Sequence, residues 1–312
     1  MSEQCDPQIS TLESTYKARD VEGILDLLFY RPVAFQLARL AARLRLTPVA
    51  LTVIGGICGI YAGHLYFYRD IRTNIVGMVL HVFANLLDNA DGQLARLLNQ
   101  KSRNGRVIDS VFDHLIFLSI YVHLGLRCLV EGASPTIALL VIAAGISHAF
   151  QGAAADYFRN AYLYFVKGRA RADWDSSATL RREYQQLRWR SGAWPKLMLA
   201  LYINFTWQQE LLSPRLRRLR DVAVGEFPAE MPDNLRQHYR ENARPMLRWW
   251  GLLMTNTRMF FLFVFLIIDR PAWFFWMEVT VLNLLLLFLI LRQENFSRSL
   301  IHDIVQPEPV VS

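Results

Sequence analysis

The sequence predicts an all-α integral membrane protein. Hydrophobic residues make up 53% of the 312 residues, and the mean hydropathy is +0.18. The apolar residues fall into six segments, most of them near the ~20 residues that an α-helix needs to cross a bilayer. Charged residues are 20% of the chain and concentrate between these segments. Substantial parts of the protein are therefore expected outside the membrane.

The six predicted spans form a group of four and a group of two. They cover 48–68, 73–98, 107–128, 135–166, 246–268 and 272–292. The predicted division of the chain follows from them: an N-terminal cytosolic segment with an interfacial helix (1–47), spans one to four (48–166), an insertion (167–245), spans five and six (246–292) and a cytosolic tail (293–312).

Two segments outside the spans are expected to be helical. In residues 31–45, Leu37, Leu40, Ala41 and Leu44 share one face, which predicts an amphipathic helix lying in the membrane interface. The insertion is rich in arginine and proline and is predicted to be a basic, helical, cytosolic segment. Its apolar stretch 197–207 is too short to span, so it is either an interfacial helix or part of a small helical lid with its own core.

The net charge of +7 favours a partner that is anionic. Because the arginines flank apolar spans and no nucleic-acid-binding motif occurs, membrane lipids are the expected partner and nucleic acid is not. The segment before the first span, the loop 99–106 and the tail are basic. Both termini and this loop are therefore expected on the cytosolic side of the plasma or inner membrane. The three cysteines show neither metal-binding spacing nor a disulfide framework.

One motif carries the chemistry. Carboxylates within a membrane are costly and point to a functional site, and divalent cations would compensate their charge. All-oxygen ligands suit Mg²⁺ or Mn²⁺. The motif reads Asp88-x2-Asp91-Gly92-x2-Ala95-Arg96-x8-Gly105-x3-Asp109-x3-Asp113.

Helical geometry brings the motif together. Asp88 and Asp91 share a face with Gly92, while Asp109 and Asp113 lie one turn apart on the next helix. If the two helices run antiparallel, the two pairs face each other, which suggests two metal ions sharing a ligand. Gly92 and Ala95 would leave room for a nucleotide, and Arg96 could meet a phosphate.

The motif resembles, without a substitution, the signature of the CDP-alcohol phosphotransferase (CDP-alcohol phosphatidyltransferase) family. The resemblance implies that Asp88, Asp91, Asp109 and Asp113 hold two divalent cations, Mg²⁺ or Mn²⁺. It implies that Asp113 is the general base towards the acceptor hydroxyl and that the protein is a homodimer. It also implies that the residues around the CDP moiety are Gly92, Ala95, Arg96 and Gly105.

Two transferase reactions fit this resemblance. In the preferred one, CDP-diacylglycerol gives its phosphatidyl group to a small polar alcohol or alcohol phosphate and CMP is released, as in phospholipid biosynthesis. In the other, a soluble CDP-alcohol such as CDP-choline or CDP-ethanolamine gives its phospho-head group to a diacylglycerol-like lipid. A divalent-cation transporter is a third possibility, but its acidic residues would be distributed through the membrane instead of clustering at one edge.

Three further residues have two interpretations each. Thr52, in Pro48-x3-Thr52, resembles a family feature near the nucleotide, although Val49 stands where the family often has asparagine; the alternative is an ordinary helix start. Arg159 and Arg258 are candidate ligands of an anionic acceptor. A buried arginine needs an anion, and a protein carboxylate such as Asp156 would serve as well as a substrate.

Overall fold

The computed structural model describes residues 19–100, 102–168, 174–187, 189–227 and 231–306. These residues form helices joined by short connections, and no strand occurs among them, so the predicted all-α fold is confirmed. The ends of the predicted N-terminal segment (1–18) and tail (307–312), Lys101 and parts of the predicted insertion lie outside the described residues.

The helices follow one another in chain order. The first six are α1 Arg31–Arg43, α2 Pro48–Leu65, α3 Ile71–Leu97, α4 Arg103–Val130, α5 Ile137–Tyr162 and α6 Ser177–Gln186. The others are α7 Trp189–Leu212, α8 Pro214–Glu226, α9 Asp233–Gly251, α10 Thr255–Ile267, α11 Ala272–Met277 and α12 Asn283–Val305. Asp26–Tyr30, Leu163–Lys167 and Glu278–Leu282 are π-helical.

The chain divides into two compact units. The first contains Met1–Gly145 and Met259–Met277, and the second contains Ile146–Arg258 and Glu278–Ser312. The helices α1 to α4 belong to the first unit, and α6 to α9 with α12 belong to the second.

Side-chain caps explain where the three central helices of the first unit begin. Thr47 accepts a hydrogen bond from Ala50 N at 3.2 Å before α2, with Pro48 at the first helical position. Asp70 accepts from Thr73 N at 2.9 Å before α3. Ser102 accepts from Gly105 N at 3.0 Å before α4. Such caps satisfy amide groups that have no partner within the helix.

A hydrophobic cluster of the first unit lies where α1, α2 and α3 meet. It consists of Ala34, Ala38, Ala41, Leu51, Leu87, Ala90 and Leu94. The alanines on α1 let it lie close to α3. Leu40 and Leu44 remain exposed, although the sequence placed them on the same face as Ala41. Membrane contact by these two leucines stays a prediction.

Among the described residues, five helical stretches are long and apolar enough to cross a membrane, as expected of an integral membrane protein. They are Pro48–Leu65, Asn104–Val130, Ile137–Lys167, Asp233–Ile267 and Ala272–Val305. The predicted second span corresponds to α3, which has 27 residues but is less apolar because it carries Asp88, Asp91 and Arg96. Its crossing of the membrane stays a prediction.

The predicted fifth span, 246–268, is interrupted instead of being one regular helix. α9 ends at Gly251 and α10 begins at Thr255. Within this break Arg258 Nη1 donates a hydrogen bond to Leu253 O. The side chain thereby satisfies a carbonyl group next to the interruption, which lowers the cost of breaking the helix.

The described part of the predicted insertion is helical and has a polar core of its own. Glu210 on α7 is 3% exposed and accepts hydrogen bonds from Ser177 Oγ at 2.5 Å and Arg220 Nη2 at 3.1 Å. The apolar stretch 197–207 belongs to the longer helix α7, which holds Pro195 near its beginning. These contacts join α7 to α8 and to the start of α6, and whether 197–207 is an interfacial helix or part of a lid stays a prediction.

Arg127 joins three connections of the first unit. It is 1% exposed and donates to Tyr68 O at 3.2 Å, to Glu131 at 2.9 Å and to Asp269 at 2.6 Å. Arg69 donates to the other oxygen of Asp269 at 2.8 Å. The α2–α3 connection, the end of α4 and the α10–α11 turn are therefore held at one point.

Candidate active site

The four aspartates of the motif line one pocket in the first unit. α3 carries Asp88 and Asp91, and α4 carries Asp109 and Asp113. The pocket is lined by Thr52, Gly55, Gly56, Ala84, Asp88, Asp91, Asp109, Phe112, Asp113 and Ile116. The structure thus brings the four predicted metal ligands together with Thr52.

The carboxylates are close enough to share a cation. One oxygen from each of Asp88, Asp91 and Asp109 lies within 4.8 Å of the others. Asp113 lines the same pocket one helical turn beyond Asp109. The donors are all oxygen atoms, as Mg²⁺ and Mn²⁺ prefer, and they exclude the soft-ligand chemistry of a thiolate site. The residues present therefore fit the expected divalent cations.

Thr52 belongs to this group through Asp91. Both residues are buried, and Thr52 Oγ1 lies 2.5 Å from Asp91 Oδ2. The hydroxyl group also lies 3.1 Å from Pro48 O in the preceding turn. A hydroxyl has one proton, and a carboxylate is the stronger acceptor, so Thr52 donates to Asp91 and orients it. Sequence reasoning selected Thr52 for a nucleotide contact and did not identify this partner.

Two glycines on α2 allow the three helices to approach closely at the pocket. A Cβ atom on Gly55 would lie 3.1 Å from Leu87 Cβ and 3.3 Å from Ala84 O on α3. A Cβ atom on Gly56 would overlap the ring of Phe112 on α4. The absence of side chains at these positions is what lets Thr52 reach a carboxylate on α3.

The remaining residues of the motif lie beside the pocket. Gly92, Ala95, Arg96 and Gly105 are not among the described residues that line it. The guanidinium of Arg96 lies next to Gly92, where an added Cβ would be 3.6 Å from Nη2. Arg96 Nε is buried and has no hydrogen-bond partner within the described part of the chain. Gly105 is in the first turn of α4, bonded to its cap Ser102.

Sequence reasoning missed an anchor between α1 and the motif. Gln93, inside the motif, is fully buried and donates from Nε2 to Arg31 O at 3.1 Å. Arg31 in turn forms a two-pronged ion pair with Glu22, with its Nη2 2.8 Å from Oε1. Gln93 occupies one of the unspecified positions of the motif, and a polar residue there was the sequence signal that could have indicated this anchor. This anchor fixes the start of α1 beside Asp91 and Gly92.

The predicted acceptor ligand Arg159 has a protein partner in the second unit. Its Nη2 lies 3.1 Å from Asp156 Oδ1, three residues earlier on α5. Asp156 Oδ2 also accepts from Asn160 at 3.0 Å and from Gln209 at 3.1 Å. Arg159 does not line the aspartate pocket described above. The acceptor assignment of Arg159 stays a prediction beside this ion pair.

The predicted acceptor ligand Arg258 is also paired. It is 2% exposed, and its Nε donates to Glu278 Oε1 at 3.0 Å while Nη2 donates to Gln151 Oε1 at 2.6 Å. Glu278 is fully buried. A protein carboxylate, which the sequence left as the alternative to a substrate anion, thus neutralises this cation. A direct role of Arg258 in acceptor binding stays a prediction.

Comparison with known proteins assigns the domain that contains the pocket. Residues 45–162 match the CDP-alcohol phosphatidyltransferase family. Proteins described as "Putative cardiolipin synthase" from Mycobacterium bovis and Mycobacterium tuberculosis are 36% identical over 66 residues, which is 21% of this chain. The match spans about a third (32%) of the length of these relatives. Residues 45–162, which contain all four aspartates, are thus similar to the CDP-alcohol phosphatidyltransferase domain.

Proposed function

We propose that the protein transfers the phosphatidyl group of CDP-diacylglycerol to a small polar alcohol or alcohol phosphate and releases CMP. One observation carries the proposal: the four aspartates of the family motif line a single pocket, with oxygens of three of them within 4.8 Å of one another. Such a cluster suits the reaction of a pyrophosphate, because hard cations bind both carboxylate and phosphate oxygens.

Asp88, Asp91, Asp109 and Asp113 would hold two divalent cations, Mg²⁺ or Mn²⁺. When bound, these ions supply positive charge that neutralises and orients the pyrophosphate. Thr52 holds Asp91 in one orientation through its hydroxyl hydrogen bond. Arg96, whose Nε has no partner among the described residues, is available to a phosphate beside Gly92. Ala95 and Gly105 would flank the CDP moiety.

Asp113 is proposed to act on the acceptor. The acceptor oxygen attacks the phosphorus of the phosphatidyl group, and the bond from that phosphorus to the bridging oxygen of CMP breaks. Asp113 takes the proton from the acceptor hydroxyl as the new bond forms. A carboxylate that also binds a cation is a weak base, so positioning of the reactants supplies much of the acceleration.

The relatives' description concerns a phospholipid product, and it supports the CDP-diacylglycerol reaction over transfer from a soluble CDP-alcohol. Cardiolipin joins two phosphatidyl groups through glycerol. We therefore include alcohols carried by a glycerophospholipid among the acceptors to be tested.

We also propose that the active site faces the cytosol and that two copies form a homodimer. The basic residues Arg103 and Arg106 at the start of α4 and the basic tail support the orientation. A CDP-linked lipid could then enter from the bilayer, while a charged acceptor arrives from the cytosol.

The first test measures CMP release by the purified chain in lipid with Mg²⁺ or Mn²⁺. CDP-diacylglycerol is offered with a panel of alcohols, alcohol phosphates and glycerophospholipids. CDP-choline and CDP-ethanolamine are offered with diacylglycerol. Release from CDP-diacylglycerol with one acceptor supports the proposal and identifies the head group. Release only from CDP-choline or CDP-ethanolamine would overturn the proposed donor.

Asp113→Asn tests the assignment of the base. The substitution keeps the size of the side chain but removes its charge, so CMP release should fall by about 10²–10⁴-fold or more. Asp70→Asn is the matched control, because asparagine caps a helix as well as aspartate and Asp70 lies before α3. Turnover of Asp113→Asn equal to that of Asp70→Asn would refute the role of Asp113.

A further inference from the structure

A pair of histidines lies in the first unit at the far ends of α2 and α4 from the aspartates. His64 Nδ1 on α2 lies 3.1 Å from His123 Nε2 on α4. The ring centroids are 4.9 Å apart and the ring planes are nearly perpendicular, at 82°. Both side chains are partly exposed. Two imidazole nitrogens therefore meet where both rings are partly exposed at the protein surface.

The contacts of the other ring nitrogens assign the protons. His123 Nδ1 lies 2.7 Å from Ser119 O, and a carbonyl group can only accept, so the proton is on Nδ1. In the neutral ring Nε2 then presents a lone pair towards His64. His64 Nε2 lies 3.4 Å from the hydroxyl of Tyr68, which can donate or accept. Each ring is thus oriented by a partner outside the pair.

Backbone packing fixes the distance between the two rings. An added Cβ atom on Gly63 would lie 2.7 Å from Ser119 Oγ and 2.8 Å from Ile120 N, so α2 and α4 are in close contact beside His64. Ser119 Oγ donates to Ile60 O at 2.7 Å. The histidine pair is therefore carried by two helices that cannot move apart without losing these contacts.

We propose that His64 and His123 form a binding site for a divalent transition-metal ion such as Cu²⁺, Ni²⁺ or Zn²⁺. Two nitrogens at about 2.0–2.1 Å from one ion are about 2.9 Å apart at a right angle and about 3.4 Å apart in a tetrahedron. The observed 3.1 Å lies between these values. Imidazole suits these metals, and a carbonyl group on the second ring nitrogen is the usual support of a metal-binding histidine.

This site is chemically and spatially distinct from the aspartate pocket. His64 follows Thr52 by twelve residues of α2, about 18 Å along the helix, and His123 follows Asp113 by ten residues of α4, about 15 Å. Nitrogen ligands select borderline transition metals, whereas the carboxylates select Mg²⁺ or Mn²⁺. Water molecules would complete the coordination of the ion.

Binding requires one change of tautomer and no net change in protons. Without metal, the Nδ1–H group of His64 donates to His123 Nε2. With metal, His64 Nδ1 must present its lone pair, so its proton is carried on Nε2 instead and is donated to the Tyr68 oxygen. His123 keeps its proton on Nδ1 in both states.

Electron paramagnetic resonance of Cu²⁺ tests the proposal on the full chain in lipid with Mg²⁺ in excess. At one equivalent of Cu²⁺, the spectrum should show coupling to two imidazole nitrogens, a signature that carboxylate binding does not produce. His64→Ala and His123→Ala should each lose the two-nitrogen spectrum. His114→Ala is the matched control, because His114 also sits on α4 with Nδ1 against a carbonyl group, that of Ser110. It should keep the spectrum.

Two further measurements do not depend on folding of the alanine variants. A wild-type spectrum that shows fewer than two coupled nitrogens would overturn the proposal by itself. Tyr68→Phe leaves both rings in place and removes an outer partner, so its affinity for Cu²⁺ should fall by about 10–100-fold. A two-nitrogen spectrum that survives in either His64→Ala or His123→Ala would equally overturn it.

Discussion

The hydrogen bond from Thr52 to Asp91 orients a carboxylate that is a proposed cation ligand. Asp91 is 7% exposed and lies in the pocket with the other three aspartates. The 2.5 Å hydrogen bond from Thr52 on α2 fixes the position of Asp91 Oδ2. Because the carboxylate is planar and rigid, this bond also restricts the direction of the other oxygen. Partners of this kind behind metal ligands affect binding almost as strongly as the ligands.

Thr52→Val should therefore lower the apparent affinity for the metal ion more than it lowers the stability of the fold. Valine keeps the branched shape but cannot donate, so the Mn²⁺ concentration for half-maximal CMP release should rise by about 10–100-fold. Thr52→Ser, which keeps the hydroxyl group, is the matched control and should stay near wild type. An unchanged Mn²⁺ requirement in Thr52→Val would mean that this hydrogen bond does not orient Asp91 for binding.

At the scale of residues, the sequence predicted which aspartates share the pocket but not the partners of these aspartates. Fixed spacing on two helices identifies Asp88, Asp91, Asp109 and Asp113, because helical periodicity alone relates them. The bond from Gln93 to Arg31 O joins residues 62 positions apart. No local pattern relates such residues, and the same holds for the meeting of His64 with His123.

At the scale of secondary-structure elements, the contact between α10 and the π-helical turn after α11 was not predictable from the sequence. Arg258 and Glu278 are both fully buried and bond to each other, and Arg258 also satisfies a carbonyl group at the break before α10. The residues in question come from segments that the sequence treated as two uninterrupted spans. Hydropathy reports how apolar such a segment is, but it does not report which carbonyl group a buried arginine will reach.

Substitution of this ion pair separates a structural role of Arg258 from acceptor binding. Arg258→Leu removes the cation that pairs with the buried Glu278 and should lower the free energy of unfolding by about 3–5 kcal/mol. The double variant Arg258→Leu/Glu278→Leu removes both charges and should recover most of that loss. Chemical unfolding in detergent measures both.

The same variants are then assayed for CMP release per folded molecule. If the Arg258–Glu278 pair has only a structural role, the double variant should keep the wild-type KM for the acceptor. A large rise in that KM in the double variant, with stability recovered, would show that Arg258 binds the acceptor.

Some helix ends follow from local sequence signals, and others do not. The start of α2 at Pro48 agrees with the predicted start of the first span, because proline in the first turn of a helix is a local signal. The helix α7 begins eight residues before the predicted apolar stretch and passes through Pro195. The same helix carries Glu210, whose contacts with Ser177 and Arg220 hydropathy does not encode.

For the molecule as a whole, the open question is whether α3 crosses the membrane. Single cysteines in a chain without Cys5, Cys58 and Cys128 test this with a membrane-impermeant maleimide. Arg72→Cys and Gln100→Cys lie at opposite ends of α3, and Ser134→Cys lies beyond α4. We expect Arg72→Cys and Ser134→Cys to react in intact cells and Gln100→Cys only after the membrane is opened. Reaction of Arg72→Cys and Gln100→Cys from the same side would exclude six spans.

Acid should destabilise the first unit where Arg69 and Arg127 bond to Asp269. Burial alone would raise the pKa of Asp269, but hydrogen bonds from Arg69 and Arg127 outweigh it and hold the pKa below its ordinary value of 3.8. A carboxyl group with a lowered pKa stabilises the fold above that ordinary value, and this contribution is lost as the pH falls through the lowered pKa. The melting temperature should therefore drop below about pH 4.

Asp269→Asn should lower the melting temperature at pH 7 and flatten the decline below pH 4. The control is Asp233→Asn, which removes an exposed carboxylate whose nearest cation, Arg236, is 3.7 Å away. This control should change stability by no more than about 0.5 kcal/mol. An acid decline of the same steepness in Asp269→Asn and wild type would assign the pH dependence to other groups.

Gly55 and Gly56 let α2 lie close to its neighbours, so substitutions on this helix should affect stability and activity to different extents. A methyl group at Gly55 would shift α2 against α3 by tenths of an ångström, at a stability cost of about 1–3 kcal/mol, whereas one at Gly56 would overlap the Phe112 ring and displace it. A displacement approaching 1 Å between reacting groups can cost about 10²-fold in rate. Libraries of α2 variants ranked by expression level and by turnover would therefore disagree, and expression would not reveal the loss.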